Sequence, residues 1–173
     1  MEKDSCAIPN AKTKKRSAKL YVRELLPTRE DIDAYLKIAY GENLHKYASF
    51  FEARSRFEAE QRILSSHKSP YDSMYGLFNK QNRLLGVFLV SDAYIEGGEK
   101  AAEVHYFIAE KFQRRGYCVK GICLLCELMA DSYDFFYFSL RKENISSRCV
   151  QEKIGSVLDG SNKNYLYYKL GIA

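Results

Sequence analysis

The chain has no apolar run long enough to span a membrane, and its first residues are polar and lysine-rich where a secretory signal would carry an apolar core. Both features argue against a membrane-spanning or exported protein and make a cytoplasmic location the expectation. Internal repeats and low-complexity stretches are missing too, which sets aside solenoids and repeat arrays. There are five cysteines, an odd count, and none of their spacings completes a metal site, so no metal is expected. Cys123 and Cys126 form a C-x-x-C inside an apolar run, where buried small thiols are the expected state. Charge imbalance is scarce over most of the chain. The formal net charge of +5 is concentrated in residues 1–19, where Lys3, Lys12, Lys14, Lys15, Arg16 and Lys19 outnumber Glu2 and Asp4. That tail has no interleaved aromatics and is expected to be a disordered, solvated leader, with contact to nucleic acid or a ribosome as the lesser reading.

What is present suffices for a packed core. With 173 residues and a hydrophobic fraction of 46%, the chain is expected to form one domain over residues 20–173. Leu20 to Leu26 alternates like a strand and stops at Pro27, after which Thr28 and Asp31 form an approximate capping box. The helix that follows places Ile32, Tyr35, Leu36 and Ala39 on one face and should stop at Gly41. A second helical stretch over about Tyr47 to Leu64 would turn Phe50, Phe51, Phe57 and Ile63 to the core. Met74–Phe78 and Leu84–Ser91, joined by the polar turn Asn79–Arg83, read as a hairpin. A third strand, Ala102–Ala109, follows the Gly97-Gly98 turn, so three successive strands should be antiparallel neighbours. Phe135–Leu140 has strand length, Asn144–Ile154 has helical spacing capped by Gly155, and Val157–Leu158 and Tyr165–Leu170 close the chain. The order predicts an α+β fold with one mixed, mostly antiparallel sheet flanked by helices.

Between a strand-like run, Glu103 to Ala109, and a helix-like run, Val119 to Ala130, lies Gln113-Arg114-Arg115-Gly116-Tyr117-Cys118. The first amides of a helix lack intrahelical partners, and the helix dipole adds partial positive charge at that end. Gly116 permits a positive φ or a close approach of main chain to a ligand, and the two arginines add charge, so the turn suits a phosphate group. Cys118 at such a helix start would have a lowered thiol pKa.

Downstream, Asn144, Ser147, Val150, Glu152, Lys153, Ile154 and Gly155 fall in the order N-x-x-S-x-x-V-x-E-K-I-G. Together with Q-R-R-G-Y-C some thirty residues earlier, this resembles the two core motifs of the GNAT (GCN5-related N-acetyltransferase) superfamily, and more closely its ribosomal-protein-type and spermidine-type branch. The resemblance runs from roughly Leu20 to Leu170.

It implies an N-acetyltransferase that moves an acetyl group from acetyl-CoA to a primary amine, either a protein N-terminus or a small molecule, as a monomer or homodimer. The pantetheine arm would pair with Tyr106, Phe107 and Ile108, and the pyrophosphate would rest on Gln113, Arg114, Arg115, Gly116, Tyr117 and Cys118. Asn144 would bind the pantetheine arm, cap its helix, or both. Ser147 would donate to the leaving sulfur, or only position the cofactor. Glu103, in the pattern A-E-x-x-Y, would be the general base, with His105 two residues on as an alternative base or a wall of the acceptor pocket. Gln151 stands where many members carry a catalytic Tyr, Cys118 where Gly or Ala is usual, and Ser156 where an aromatic follows the glycine. These departures leave a second reading open, a CoA-binding regulatory module with weak or no catalysis.

Overall fold

The computed structural model describes residues 20–95 and 97–172, so the basic leader lies outside the described residues. Seven strands form one sheet in the order β1-β2-β3-β4-β5-β7-β6. They are β1 (Leu20–Glu24), β2 (Asp72–Asn79), β3 (Leu84–Ala93), β4 (Ala101–Ile108), β5 (Phe135–Arg141), β6 (Val157–Ser161) and β7 (Tyr165–Gly171). β1 to β4 are successive antiparallel neighbours, as the hairpin signals require, and β7 inserts between β5 and β6. Only β4 and β5 run parallel, and α4 (Tyr117–Met129) is the crossover that such a connection needs.

The sheet buries both faces. One is covered by α4 and α5 (Ile145–Ile154), where Phe88, Ile122, Leu125, Phe136 and Phe138 pack together. The other is covered by α1 (Arg29–Leu36), α2 (Glu42–Ala48) and α3 (Arg56–Lys68) over Leu25, Tyr35, Phe51, Phe78 and Phe107. Each such side chain contributes about 1.5–3 kcal/mol on leaving water. Among the described residues no helix is long and apolar enough to cross a membrane.

The helical segment before β2 departs from expectation. In place of one helix over Tyr47–Leu64, α2 ends at Ala48, a 3-10 turn occupies Ser49–Phe51, and α3 starts afresh. Ser55 resets the phase: its Oγ accepts from Glu58 N–H at 3.1 Å, a new N-cap. Phe51 and Ile63 remain buried, but Phe50 and Phe57 are 41% and 68% exposed, because the helical period does not run through the break. Gly41, expected to stop the first helix, instead precedes α2 at φ 130, while α1 has already ended at Leu36. Thr28 does cap α1, accepting from Asp31 N–H at 3.3 Å. The Asp31 carboxylate does not close the box; it binds the Arg23 guanidinium fork and the Leu26 N–H.

Candidate active site

The site begins with a gap in the sheet. β4 and β5 pair only at Ala101↔Phe135, Ala102↔Phe136 and Glu103↔Tyr137, and then diverge. β4 continues to pair with β3 as far as Ile108, and β5 with β7 as far as Arg141, so the two facing edges beyond Glu103 are left open. The register decides which backbone groups face the gap. Ala109 N–H donates to Leu85 O at 2.9 Å, and antiparallel ladders alternate, so Phe107 and His105 turn their amides and carbonyls to β3. Val104, Tyr106 and Ile108 turn theirs into the gap.

Of the three residues expected to pair with the pantetheine arm, Phe107 therefore has its backbone engaged on β3. Its ring packs on Tyr35 and Phe51, with centroids 6.3 and 5.0 Å away. The Ile108 carbonyl accepts from Gln113 Nε2 at 3.0 Å. What remains to meet a ligand is the Ile108 N–H and both polar groups of Tyr106, a short strip of unpaired strand edge.

Past β4, Gln113 N–H donates to Glu110 O at 3.2 Å, so this residue braces the turn with both its amide and its side chain. The next residues form the cradle. Arg114 and Gly116 adopt φ of 60° and 74°, and Lys120 N–H donates to Gly116 O as the first rung of α4. The amides of residues 117–119 precede that rung and point out of the helix. A left-handed arginine costs about 1–2 kcal/mol, and such alternation of backbone hand makes an anion-binding concavity. Cys118 does not act as expected. It packs inward on the α4–α5 side of the sheet beside Tyr106, and burial pushes its thiol well above the usual range. Desolvation opposes the helix dipole here, and the half-buried side chain packs on the core.

At the other end of the gap, Asn144 caps α5, its Oδ1 accepting from Ser147 N–H at 3.2 Å. Its side-chain amide nitrogen remains as a donor toward the gap. Asn144, Tyr106 and Ser147 line one cavity of about 70 Å³ together with His105, Phe50 and Tyr47. Alternation along β4 divides this cavity in two. Tyr106 lies on the α4–α5 face with Ser147, while Glu103 and His105 lie on the α1–α3 face. There the Phe50 ring meets His105 edge-on at 5.2 Å, and Tyr47 O–H reaches Glu143 O at 3.4 Å. Ser139 Oγ donates to Glu103 Oε1 at 2.5 Å, and His105 Nε2 lies 3.5 Å from the same oxygen. His105 lines the cavity; Glu103 is not part of its lining, and its side chain is 40% exposed. A second cavity of about 270 Å³, between Lys37–Tyr40 and Ala109–Lys111, opens beyond the end of β4 and shares no residue with the gap.

A parallel strand pair splayed beside a left-handed turn and helix N-terminus is joined by a match along the sequence. Residues 19–157 match the sequence model of the acetyltransferase (GNAT) domain. The chain belongs to the GNAT acetyltransferase family. Solved structures share this GNAT fold. The Salmonella typhimurium acetyl transferase that modifies the N-terminal serine of ribosomal protein L7/L12 superposes with a TM-score of 0.73 at 22% identity, over 90% of this chain and 96% of that one. Spermidine N-acetyltransferase from Vibrio cholerae, solved with CoA and spermine, gives 0.72 at 18% identity, over 90% and 96%. RimL, the ribosomal L7/L12 alpha-N-protein acetyltransferase, solved with CoA, gives 0.75 at 20% identity, over 88% and 94%. No curated protein matches the chain by sequence.

Within this GNAT domain, Tyr106, Asn144 and Ser147 meet in one cavity as the motifs suggest, and Arg114 to Cys118 form the separate cradle. Sequence reasoning missed Ser139, Phe50 and Tyr47. Ser139 left a signal, as the only hydroxyl-bearing aliphatic side chain within the apolar run Phe135–Leu140. Phe50 and Tyr47 left none, because they reach the site from the end of α2 and the 3-10 turn that follows it.

Proposed function

We propose that the chain is an acetyl-CoA-dependent N-acetyltransferase acting on a primary amine, of a protein N-terminus or of a small molecule. The observation that carries this reading is the open strip of β4 edge at Tyr106 and Ile108, running from the anion cradle to the cavity where His105 and Ser147 face each other across the sheet. Acetyl-CoA would supply the activated thioester. Tyr106, Ile108 N–H and Asn144 would hold its pantetheine arm, and the amides of residues 117–119 with Arg114 and Arg115 its pyrophosphate.

The chain's own contribution is position and proton handling. The amine would enter from the α1–α3 side, past the paired rings of Phe50 and His105. With Nε2–H directed at Glu103, the His105 ring keeps its lone pair on Nδ1 and takes the amine proton there, while the carboxylate stabilises the resulting imidazolium. Ser147 donates a hydrogen bond to the departing sulfur from the opposite face. Glu103, read from sequence as the base itself, thus acts through His105.

Cys118, Gln151 and Ser156, the residues that favour a regulatory module with weak catalysis, leave the cavity clear. Cys118 and Gln151 are packed inward, and Ser156 bonds to Gln151. The test is turnover: acetyl-CoA with a panel of N-terminal peptides, polyamines and amino sugars, followed by free thiol. The expected result is amine-dependent thiol release that falls at least ten-fold in Ser147→Ala. CoA binding without thiol release for any amine would contradict it and favour the regulatory module.

A further inference from the structure

Gln151 occupies the position at which many GNAT members carry a catalytic Tyr, yet it is completely buried. A buried amide must have both ends satisfied. Here the partners are specific. Ser156 Oγ donates to Gln151 Oε1 at 2.7 Å, and Gln151 Nε2 donates to the Tyr106 hydroxyl at 3.2 Å.

The end of α5 explains how Ser156 reaches back. Gly155 is left-handed at φ 77, Gly155 N–H donates to Glu152 O at 3.3 Å, and Ser156 N–H donates to Gln151 O at 3.0 Å. This is a Schellman cap, which folds the residue after the glycine over the last turn. An aromatic at 156 could not donate to the amide in this way. Two departures from the family pattern, Gln151 and Ser156, thus form one unit.

The unit has a direction. In the structure the amide oxygen lies on Ser156 and the amide nitrogen on Tyr106. Because an amide nitrogen cannot accept, the phenolic proton of Tyr106 must point elsewhere, and Ser147 is the hydroxyl that neighbours it in the cavity. The ring is held against Phe88 and Phe138, at centroid distances of 6.4 and 6.1 Å. Resting on the acetyl-transfer reading above, we infer that Ser156 and Gln151 are positioning residues that aim the Tyr106 phenol at Ser147, so that Ser147 Oγ–H is held toward the leaving sulfur.

Burial raises the Tyr106 phenol and keeps it neutral, so it donates without giving up its proton. The carbon–nitrogen bond forms as the carbon–sulfur bond breaks, and the electron pair departs on sulfur, held by Ser147 Oγ–H. The amine proton goes to the base on the other face. That base returns it to water, and the thiolate takes a proton from water on release. Tyr106 thereby replaces the missing Tyr of α5 from the strand side, acting through Ser147.

The test reads bound CoA, independent of turnover. Thiolate absorbance is titrated against pH in the CoA complexes of wild type, Tyr106→Phe, Ser156→Ala and Gln151→Glu. Tyr106→Phe, which keeps the ring packing, is expected to leave about ten-fold less bound thiolate at a given pH. Gln151→Glu carries the distinguishing result. An ionised carboxylate only accepts, so it draws the phenolic proton away from Ser147. The thiolate fraction of Gln151→Glu therefore falls relative to wild type at every pH at which thiolate is read. A bound thiol that titrates alike in all four proteins overturns the inference. A titration that responds as described, without acetyl transfer to any amine, overturns the acetyltransferase reading and leaves the relay standing.

Discussion

His105→Ala is expected to lower turnover with a saturating amine by about 10²–10⁴-fold, the usual worth of a positioned general base, while Glu103→Gln costs less. The order follows from placement. His105 lines the cavity and Glu103 does not, and among the described residues the ionisable contact of the Glu103 carboxylate is the 3.5 Å approach to His105 Nε2. Ser139 holds the same carboxylate oxygen from β5, two residues past the last β4–β5 pair, Glu103↔Tyr137. If Glu103→Gln proves the more damaging substitution and His105→Ala retains near wild-type turnover, the carboxylate itself is the base and the assignment fails.

Asp31→Ala is expected to cost about 1–3 kcal/mol in chemical denaturation, because Leu26 N–H and the 36% exposed Arg23 side chain lose their charged acceptor. Asp31 is 3% exposed and takes both Arg23 guanidinium nitrogens at 2.7 Å, with Leu26 N–H at 2.9 Å. The Arg23 guanidinium also lies 4.1 Å from the Phe78 ring centroid. Burial by itself would raise the carboxyl pKa, but donation from Arg23 and from Leu26 N–H outweighs it, and the group is held below its usual range. A carboxyl depressed in the folded state stabilises fully above its unfolded pKa of about 3.9, and that contribution disappears as pH falls through the folded value. Wild type should therefore lose stability below about pH 4 more steeply than Asp31→Asn. Equal acid sensitivity of the two proteins would remove Asp31 as the titrating group.

Much of the fold was legible because the relevant signals are local. The polar turn Asn79–Arg83, the apolar run Leu84–Ser91 and the glycine after Ile154 each act through neighbouring residues, and each element formed where its pattern placed it. The helices before β2 were harder. A capping pair at Ser55 and Glu58 restarts the helix, and a reading that followed apolar spacing alone carried the period across it, placing Phe50 and Phe57 in a core that they do not enter. At the site, sequence motifs brought together Tyr106, Asn144 and Ser147. They could not show that Phe107 turns its backbone to β3, because that depends on register across two strands. Nor could they show that Cys118 points inward, since a helix start and a buried thiol look the same in one dimension. Gln151 and Ser156 read as losses singly, and only the left-handed Gly155 reveals them as partners.

Amide hydrogen exchange with and without CoA tests the central claim, that the open edge between β4 and β5 and the turn after it form the cofactor's seat. CoA should slow exchange at Tyr106 and Ile108 and at residues 117–119, and leave Phe107, already bonded to β3, unchanged. Protection confined to Lys37–Tyr40 and Glu110–Lys111, around the larger cavity, or no protection along β4 at saturating CoA, would contradict it.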